Sequence, residues 1–408
     1  GAASGLTGAL PAIDGSALTG IAATDNVRTG ILDVAGIATF RNDVNVGAAV
    51  TITESGIEAT GVGITVANIN GGAIGGRRNI MINGAMIVAQ RGTSSTSDGY
   101  QTVDRFKLRA AGTDEWAFTQ SQEDVAVSEA PYYTDGHRKY YDIQTTTVET
   151  SNIGSNEYVD IFQRIEANNT FHLGYGQSGG TAKTLTLSFW VRAYQTGTYV
   201  FYLYLSAGKM QTKAYTISAS NTWEKKTIVI EPDGSDAQAL GNGYSLQCGW
   251  LLAAGSDYTG GSNSTSYITY ADGNFAAGQT ADITSSTNNF FHLTGVQLEV
   301  GSQATPFEHR SFAEELTLCQ RYYFQGDGQE PGASLNSYYG SAYGGSNAMV
   351  NIYFPTTMRA KPTVTDPTHG GGGSLAAVYE TFNSIHVNIT GDTSIYVAPS
   401  EIKCSAEL

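Results

Sequence analysis

The chain has 408 residues, a net charge of −15 and only 14% charged side chains, against roughly 25% in an average globular domain. Its polarity comes instead from turn and strand formers, including 49 Gly and 24 Tyr, which disfavours long helical bundles. With 22 Lys and Arg against 37 Asp and Glu there is no basic stripe for a nucleic-acid partner, and no apolar run reaches the ~18 residues of a membrane span, so no membrane insertion is expected.

Three cysteines, Cys248, Cys319 and Cys404, are too few and too scattered for a disulfide framework or a CxxC metal site and read as buried thiols. No charged stretch precedes an apolar run at the start, so no leader peptide is expected.

Composition changes along the chain. Residues 1–76 hold one aromatic residue, Phe40, among Gly, Ala, Thr, Ile and Val. Near-repeats at Leu6-Thr7-Gly8, Leu18-Thr19-Gly20 and Arg28-Thr29-Gly30 give way to alternation at Val44-Asn45-Val46, Val50-Thr51-Ile52-Thr53 and Ile64-Thr65-Val66. Such short strands bury too little to offset their ordering entropy alone, so the segment is expected to pack against copies of itself as a β-rich shaft.

Residues 77–309 carry frequent aromatics and successive strand patterns. Thr184–Val191, Tyr199–Leu205, Lys226–Ile230 and Phe291–Val300 alternate, with turn residues between them. No helical period intervenes, which predicts an antiparallel β-sandwich of jelly-roll type. At 310–325 the period changes: Phe312, Leu316, Cys319 and Tyr323 fall at helical spacing behind a Ser311/Glu314 capping box, predicting a connecting helix. Residues 326–408 return to strands at Ala348–Phe354, Ala376–Tyr379, Ile385–Ile389 and Ile395–Val397, a small distal β domain broken by the Gly370–Gly373 loop. The fold class is all-β.

Several blocks carry a family resemblance. Asn79-Ile80-Met81-Ile82-Asn83-Gly84, Gln90-Arg91-Gly92 and Asp104-Arg105-Phe106 resemble the opening of a domain of bacteriophage tail fibres. Leu187–Arg192 with Asn221–Lys226, Leu293–Gly301 with Thr305–Glu308, and Leu318–Tyr323 resemble its later parts, while Leu10–Gly20 is similar to fibre shafts of marine phages and Met358–Thr363 to a distal-domain strand entry. The resemblance implies a homotrimeric virion fibre with a trimeric β-rich shaft and a carbohydrate-binding-like jelly roll, joined through its N-terminal end to phage tail or adaptor proteins. It implies an extracellular, virion-borne protein that meets a host surface glycan or outer-membrane protein, and it supplies no catalytic residues.

Candidate chemistry is sparse. Gly176-Gln177-Ser178-Gly179-Gly180 has the spacing of a hydrolase elbow but lacks a following helix, and reads as a hairpin turn. The six His residues show no His-x-x-x-His spacing. Phe171-His172-Leu173 and Phe291-His292-Leu293 are twins in which strand alternation sets His opposite its neighbours. Asp233-Gly234-Ser235-Asp236 and Asp114-Glu115 could serve calcium, but no Asp-x-Asp-x-Asp-Gly loop occurs, so no cofactor is expected. Adjacent Glu123-Asp124 cannot work together on one face.

Aromatic display remains. Tyr132-Tyr133, Tyr140-Tyr141, Tyr258 and Tyr338-Tyr339 with Tyr343 lie in expected loops, whereas Trp190, Trp223 and Trp250 read as core. A flat apolar ring with a polar handle suits a sugar, and Trp116, Tyr132, Tyr133 and Tyr258 are the expected glycan-binding residues. The expectation is a non-enzymatic receptor-binding fibre. The alternatives are a capsid or neck fibre without receptor role, or a polysaccharide depolymerase.

Overall fold

The computed structural model describes 50–53, 56–59, 77–150, 153–175, 182–233, 239–264, 266–326 and most of 338–408. The chain divides into two units, Gly1–Thr65 and Val66–Leu408. Of the first, an antiparallel hairpin is described: β1 (Val50–Thr53) pairs with β2 (Gly56–Ala59), Val50 opposite Ala59. The near-repeats before it lie outside the described residues, as does the Gly176–Gly180 motif.

The second unit begins with β3 (Ser94–Ser95), β4 (Lys107–Ala111), β5 (Ala117–Asp124), α1 (Ala130–Asp135), β6 (Lys139–Thr147), β7 (Tyr158–Glu166), β8 (Leu185–Ala193) and β9 (Gly197–Leu205). It continues through β10 (Lys209–Ile217), β11 (Glu224–Ile230), β12 (Tyr244–Ala254), α2 (Ser256–Thr259), β13 (Ile268–Thr269), α3 (Asp272–Phe275) and β14 (Phe290–Val300). These strands form two six-stranded antiparallel sheets, β13-β10-β9-β12-β7-β4 and β11-β8-β14-β6-β5-β3. The molecule is thus an all-β antiparallel sandwich, and the four expected strand patterns coincide with β8, β9, β11 and β14.

Alternation builds its core. Phe201 and Leu203 of β9, Cys248 and Trp250 of β12, and Leu187 and Phe189 of β8 point inward and are fully buried. Trp250 is ringed by Phe201 at 5.3 Å and Phe189 at 5.7 Å, ring pairs that add to area burial.

Helix α4 (Phe312–Gln320) follows. Ser311 caps it by accepting from the Glu314 amide at 3.3 Å, as the capping box predicts. Cys319 is buried, but Phe312, expected on the inner face, is exposed, and buried Glu315 takes an inner place by accepting from the Asn83 amide at 2.6 Å. Tyr323, placed on the helix by spacing, begins β15 (Tyr323–Gln325).

The strands after it are β16 (Tyr338–Ala342), β17 (Asn347–Tyr353), β18 (Thr363–Thr365), β19 (His369–Gly370), β20 (Ser374–Glu380), β21 (Ser384–Thr390), β22 (Ser394–Val397) and β23 (Lys403–Ser405). They form the sheets β15-β23-β18 and β19-β22-β16-β17-β21-β20 over a second core that includes Val350, Ile385 and Val387. The C-terminus returns to the sandwich, where Glu407 pairs with the buried guanidinium of Arg105 and Ala406 donates its amide to Tyr322 O at 2.7 Å. All three cysteines are free and buried.

The Asn79–Gly84 block has a structural meaning. It forms no strand, so its backbone groups need other partners. Asn79 Oδ1 accepts from the amides of Met81 at 3.0 Å and Leu298 at 3.1 Å, and Asn83 Nδ2 donates to Val88 O and Asp104 O. A Cβ on Gly84 would stand 2.0 Å from Val296 O, so only glycine admits this docking on β14.

Candidate glycan-binding cleft

The outer face of the first sheet carries the site. In β9, alternation that points Phe201, Leu203 and Leu205 into the core turns Tyr202 and Tyr204 outward. In β12 and β7 the same rule turns out Gln247, Asp160 and Arg164. The register sets Arg164, Gln247 and Tyr204 side by side across three strands.

The segment from Gly255 to Gly278, with α2 and α3, covers part of this face, and Phe275 is buried against Tyr202 at 4.8 Å and Tyr158 at 5.3 Å. Beside it a cleft of about 260 Å³ stays open, just under the ~300 to 1,000 Å³ of ligand pockets. Its walls are Tyr158, Tyr202, Tyr204, Tyr244, Tyr270 and Phe275, with Arg109, Arg164 and Gln247 among them.

A hydrogen-bonded floor fixes these groups. Arg109 grips Asp160 with both prongs, Nε to Oδ1 at 2.9 Å and Nη2 to Oδ2 at 2.7 Å. The Tyr202 hydroxyl donates to Asp160 Oδ2 at 2.5 Å and accepts from Gln247 Nε2 at 2.7 Å, while Arg164 Nε donates to Gln247 Oε1 at 2.8 Å. Asp160 is fully buried, so its pairing is what makes its burial tolerable. Burial works against the charge of Arg109, yet neighbouring Asp160 prevails and raises its pKa. Burial raises Tyr202, and burial followed by a hydrogen bond from its hydroxyl to Asp272 raises Tyr270, so both phenols stay neutral donors in ordinary buffers. A Cβ on Gly249 would lie 2.2 Å from the Tyr202 ring, so a bare backbone lets that ring lie across β12.

The expected residues fall elsewhere. Trp116 is buried, stacks on Phe118 at 4.5 Å and donates Nε1–H to Thr145 Oγ1 at 3.1 Å. It packs in the core, which corrects the expectation of display. Tyr132 and Tyr133 sit on α1 rather than in a loop, Tyr132 under the Arg138 guanidinium at 4.3 Å and Tyr133 67% exposed. That helix adjoins the other sheet, where Asp135 accepts from Trp190 Nε1 of β8 at 2.7 Å.

Tyr258 lies on α2, edge-on to Tyr158 at 5.1 Å, and so buttresses the cleft from behind. The four are not brought together. Tyr140 and Tyr141, expected in a loop, belong to β6, and Tyr141 is fully buried. Trp223, expected in a strand, is half-buried just before β11 under Arg192 at 4.9 Å. His292 does face away from Phe291 and Leu293, donating to Asp142 at 2.8 Å, whereas Phe171–Leu173 is a 3-10 turn. The signal missed was the pair Tyr202 and Tyr204 in a strand whose alternate residues are all apolar.

Asp114, Glu149 and Glu157 form an acidic cluster with one ligand atom from each within 4.8 Å of the others. Glu149 is raised by burial, and its Oε2 already accepts from the Trp116 amide at 3.0 Å. Of Asp233–Asp236, only Asp233 is among the described residues.

No protein-family model matches the chain, and no curated protein does. Solved structures similar to it include the enzymatically active domain of tailspike protein 4 of bacteriophage CBA120, at 12% identity and a TM-score of 0.29 over 54% of this chain and 21% of that one. This chain therefore spans about a fifth of that tailspike. Others are the family 11 carbohydrate-binding module of Clostridium thermocellum, at 10% identity and a TM-score of 0.25 over 52% of this chain and 98% of that one. The CBM22-1 xylan-binding domain of Xyn10C from Paenibacillus barcinonensis shows 8% identity and a TM-score of 0.24 over 52% of this chain and 94% of its own.

Proposed function

We propose that the sandwich binds glycans in the cleft on the outer face of the first sheet. The observation that carries this reading is the combination of half-exposed Tyr204, Tyr244 and Tyr270 with the fixed polar floor of Arg109, Asp160, Tyr202 and Gln247. Rings offer apolar faces to a pyranose, and prepositioned donors and acceptors meet its hydroxyls at small entropy cost.

The tail-fibre resemblance of the sequence blocks supports a wider reading: a homotrimeric, virion-borne fibre, attached to the phage through its N-terminal end, whose cleft recognises a host surface glycan. Three weak sites per fibre act together through effective concentration. A binder is favoured over a depolymerase because among the described residues no carboxylate lines the cleft and Asp160 beneath it is held by Arg109, whereas glycoside hydrolysis ordinarily needs two free acids.

A glycan array probed with the whole chain tests the reading, followed by titration of any hit against Tyr204→Ala and Tyr244→Ala. Each variant is expected to bind at least about tenfold more weakly, the loss of one stacking contact plus its buried area. Unchanged affinity in both would remove the cleft as the site.

A further inference from the structure

The cleft's two cations are not equivalent. Arg109 is neutralised by its two-pronged bond to Asp160. Arg164 is half-buried, lies over the Tyr244 ring at 4.6 Å, and spends only Nε on a neutral acceptor, the Gln247 amide oxygen at 2.8 Å. Among the described residues no carboxylate forms an ion pair with it. Elsewhere in the unit several arginines are matched, Arg91 and Arg105 with Glu407, Arg192 with Glu129, Arg310 with Glu308 and Glu315, Arg321 with Glu166; Arg78, Arg138 and Arg359 share the lack of a described ion pair but do not line the cleft.

A planar cation held rigidly on an aromatic face, with its terminal nitrogens left over, is a fork for a carboxylate or sulfate. Its position is fixed twice, by the ring beneath and by Gln247, whose own amide nitrogen is tied to Tyr202. Asp272 stands near the cleft, where it accepts from the Tyr270 hydroxyl and lies in electrostatic reach of Tyr158, but among the described residues it forms no ion pair with Arg164. The overall charge of −15 opposes an acidic polymer at long range, but screening over ~8 Å at physiological salt leaves the local cation to decide.

Resting on the glycan-binding reading above, we propose that the cleft selects acidic glycans, with the guanidinium of Arg164 pairing a sugar carboxylate or sulfate while Tyr244 and Tyr204 flank the ring that bears it.

The test titrates the whole chain with polygalacturonate, with the same polymer after reduction of its carboxyl groups, and with a sulfated galactan. The protein is expected to prefer at least one acidic polymer to the neutral one. Arg164→Gln is expected to weaken acidic binding by about tenfold to a hundredfold, the range of one charge-assisted hydrogen bond, and to weaken neutral binding much less, so that the ratio of acidic to neutral affinity falls. Arg164→Lys, which keeps the charge without the fork, should fall between. A melting curve unchanged in both variants separates lost recognition from lost fold. Preference for the sulfated polymer alone would name sulfate as the ligand group, and preference for polygalacturonate alone would name carboxylate. Equal binding of all three polymers, unaffected by Arg164→Gln but lost in Tyr244→Ala, would overturn the acidic preference and leave glycan binding standing. No binding to any of them, with neutral hits absent from the array as well, would overturn both.

Discussion

His137 shows how one side chain acquires a property that its neighbours in sequence do not suggest. It is fully buried against Phe307 at 4.6 Å, and neither ring nitrogen has a hydrogen-bond partner among the described residues. Burial first, then the nearby His309, pushes its pKa down to about 4. A neutral form favoured by folding gives stability that is complete above the unfolded value of ~6.5 and is lost as pH falls towards 4. Asp104 acts oppositely: burial raises it to about 6, so it adds stability as pH falls from there. His137→Phe isolates the first effect. Urea unfolding at pH 7 and pH 4 should show the variant losing about 3 kcal/mol less than the parent on acidification, and parallel pH profiles would show that His137 takes up its proton as readily in the folded chain as in the unfolded one.

At the scale of elements, the capping box was the local signal read most directly. Ser311 begins α4 and Glu314 follows three residues on. Ser311→Ala should cost about 1 kcal/mol, read as a lower midpoint in urea with an unchanged slope, and a variant as stable as the parent would show the cap to be dispensable. The strands were equally legible, because inward and outward residues alternate in β8, β9 and β14 whatever their partners. What misled was assigning each aromatic by local texture. Trp116 sits among polar residues in the chain but faces Phe118 and Thr145 in the fold, and Tyr141 follows a turn yet hydrogen-bonds Gln120 at 2.7 Å inside the sandwich. The exposure of a ring depends on which sheet face it occupies and what covers that face.

Across the second unit, the blocks around Asn79–Gly84, Arg91, Arg105, Glu308 and Tyr322 meet along one seam away from the cleft, whereas Leu187–Arg192 and Asn221–Lys226 pair as β8 and β11 in the other sheet. Asn79 meets Glu308, Asn83 meets Glu315, Arg310 donates to Met81 O, and Arg105 with Arg91 meets Glu407 at the chain's end. These residues close the sandwich around its first segment and tie the C-terminal sheets to it. Arg105, 1% exposed, stacks on Tyr322 at 3.5 Å and needs its carboxylate. Glu407→Gln should therefore cost about 3 kcal/mol, as loss of one partner of a buried pair does. Calorimetry should show one lowered transition for sandwich and C-terminal sheets together. Separate melting of the C-terminal sheets, with the sandwich unaffected, would contradict the seam.

The sequence by itself determined the β class, the positions of β8, β9, β11 and β14, the helix α4 with its cap, and the buried thiols. Each depends on the period, propensity or charge of neighbouring residues, and those forces act along the chain. Only the tertiary structure decided the cleft. Arg109, Tyr158, Arg164, Tyr204, Tyr244 and Tyr270 come from four strands and a loop, and they meet because β9, β12, β7 and β4 lie side by side in an order that is not their order in the chain. Strand order is set by long-range pairing and core packing, and no local pattern records which outward residues will share a face.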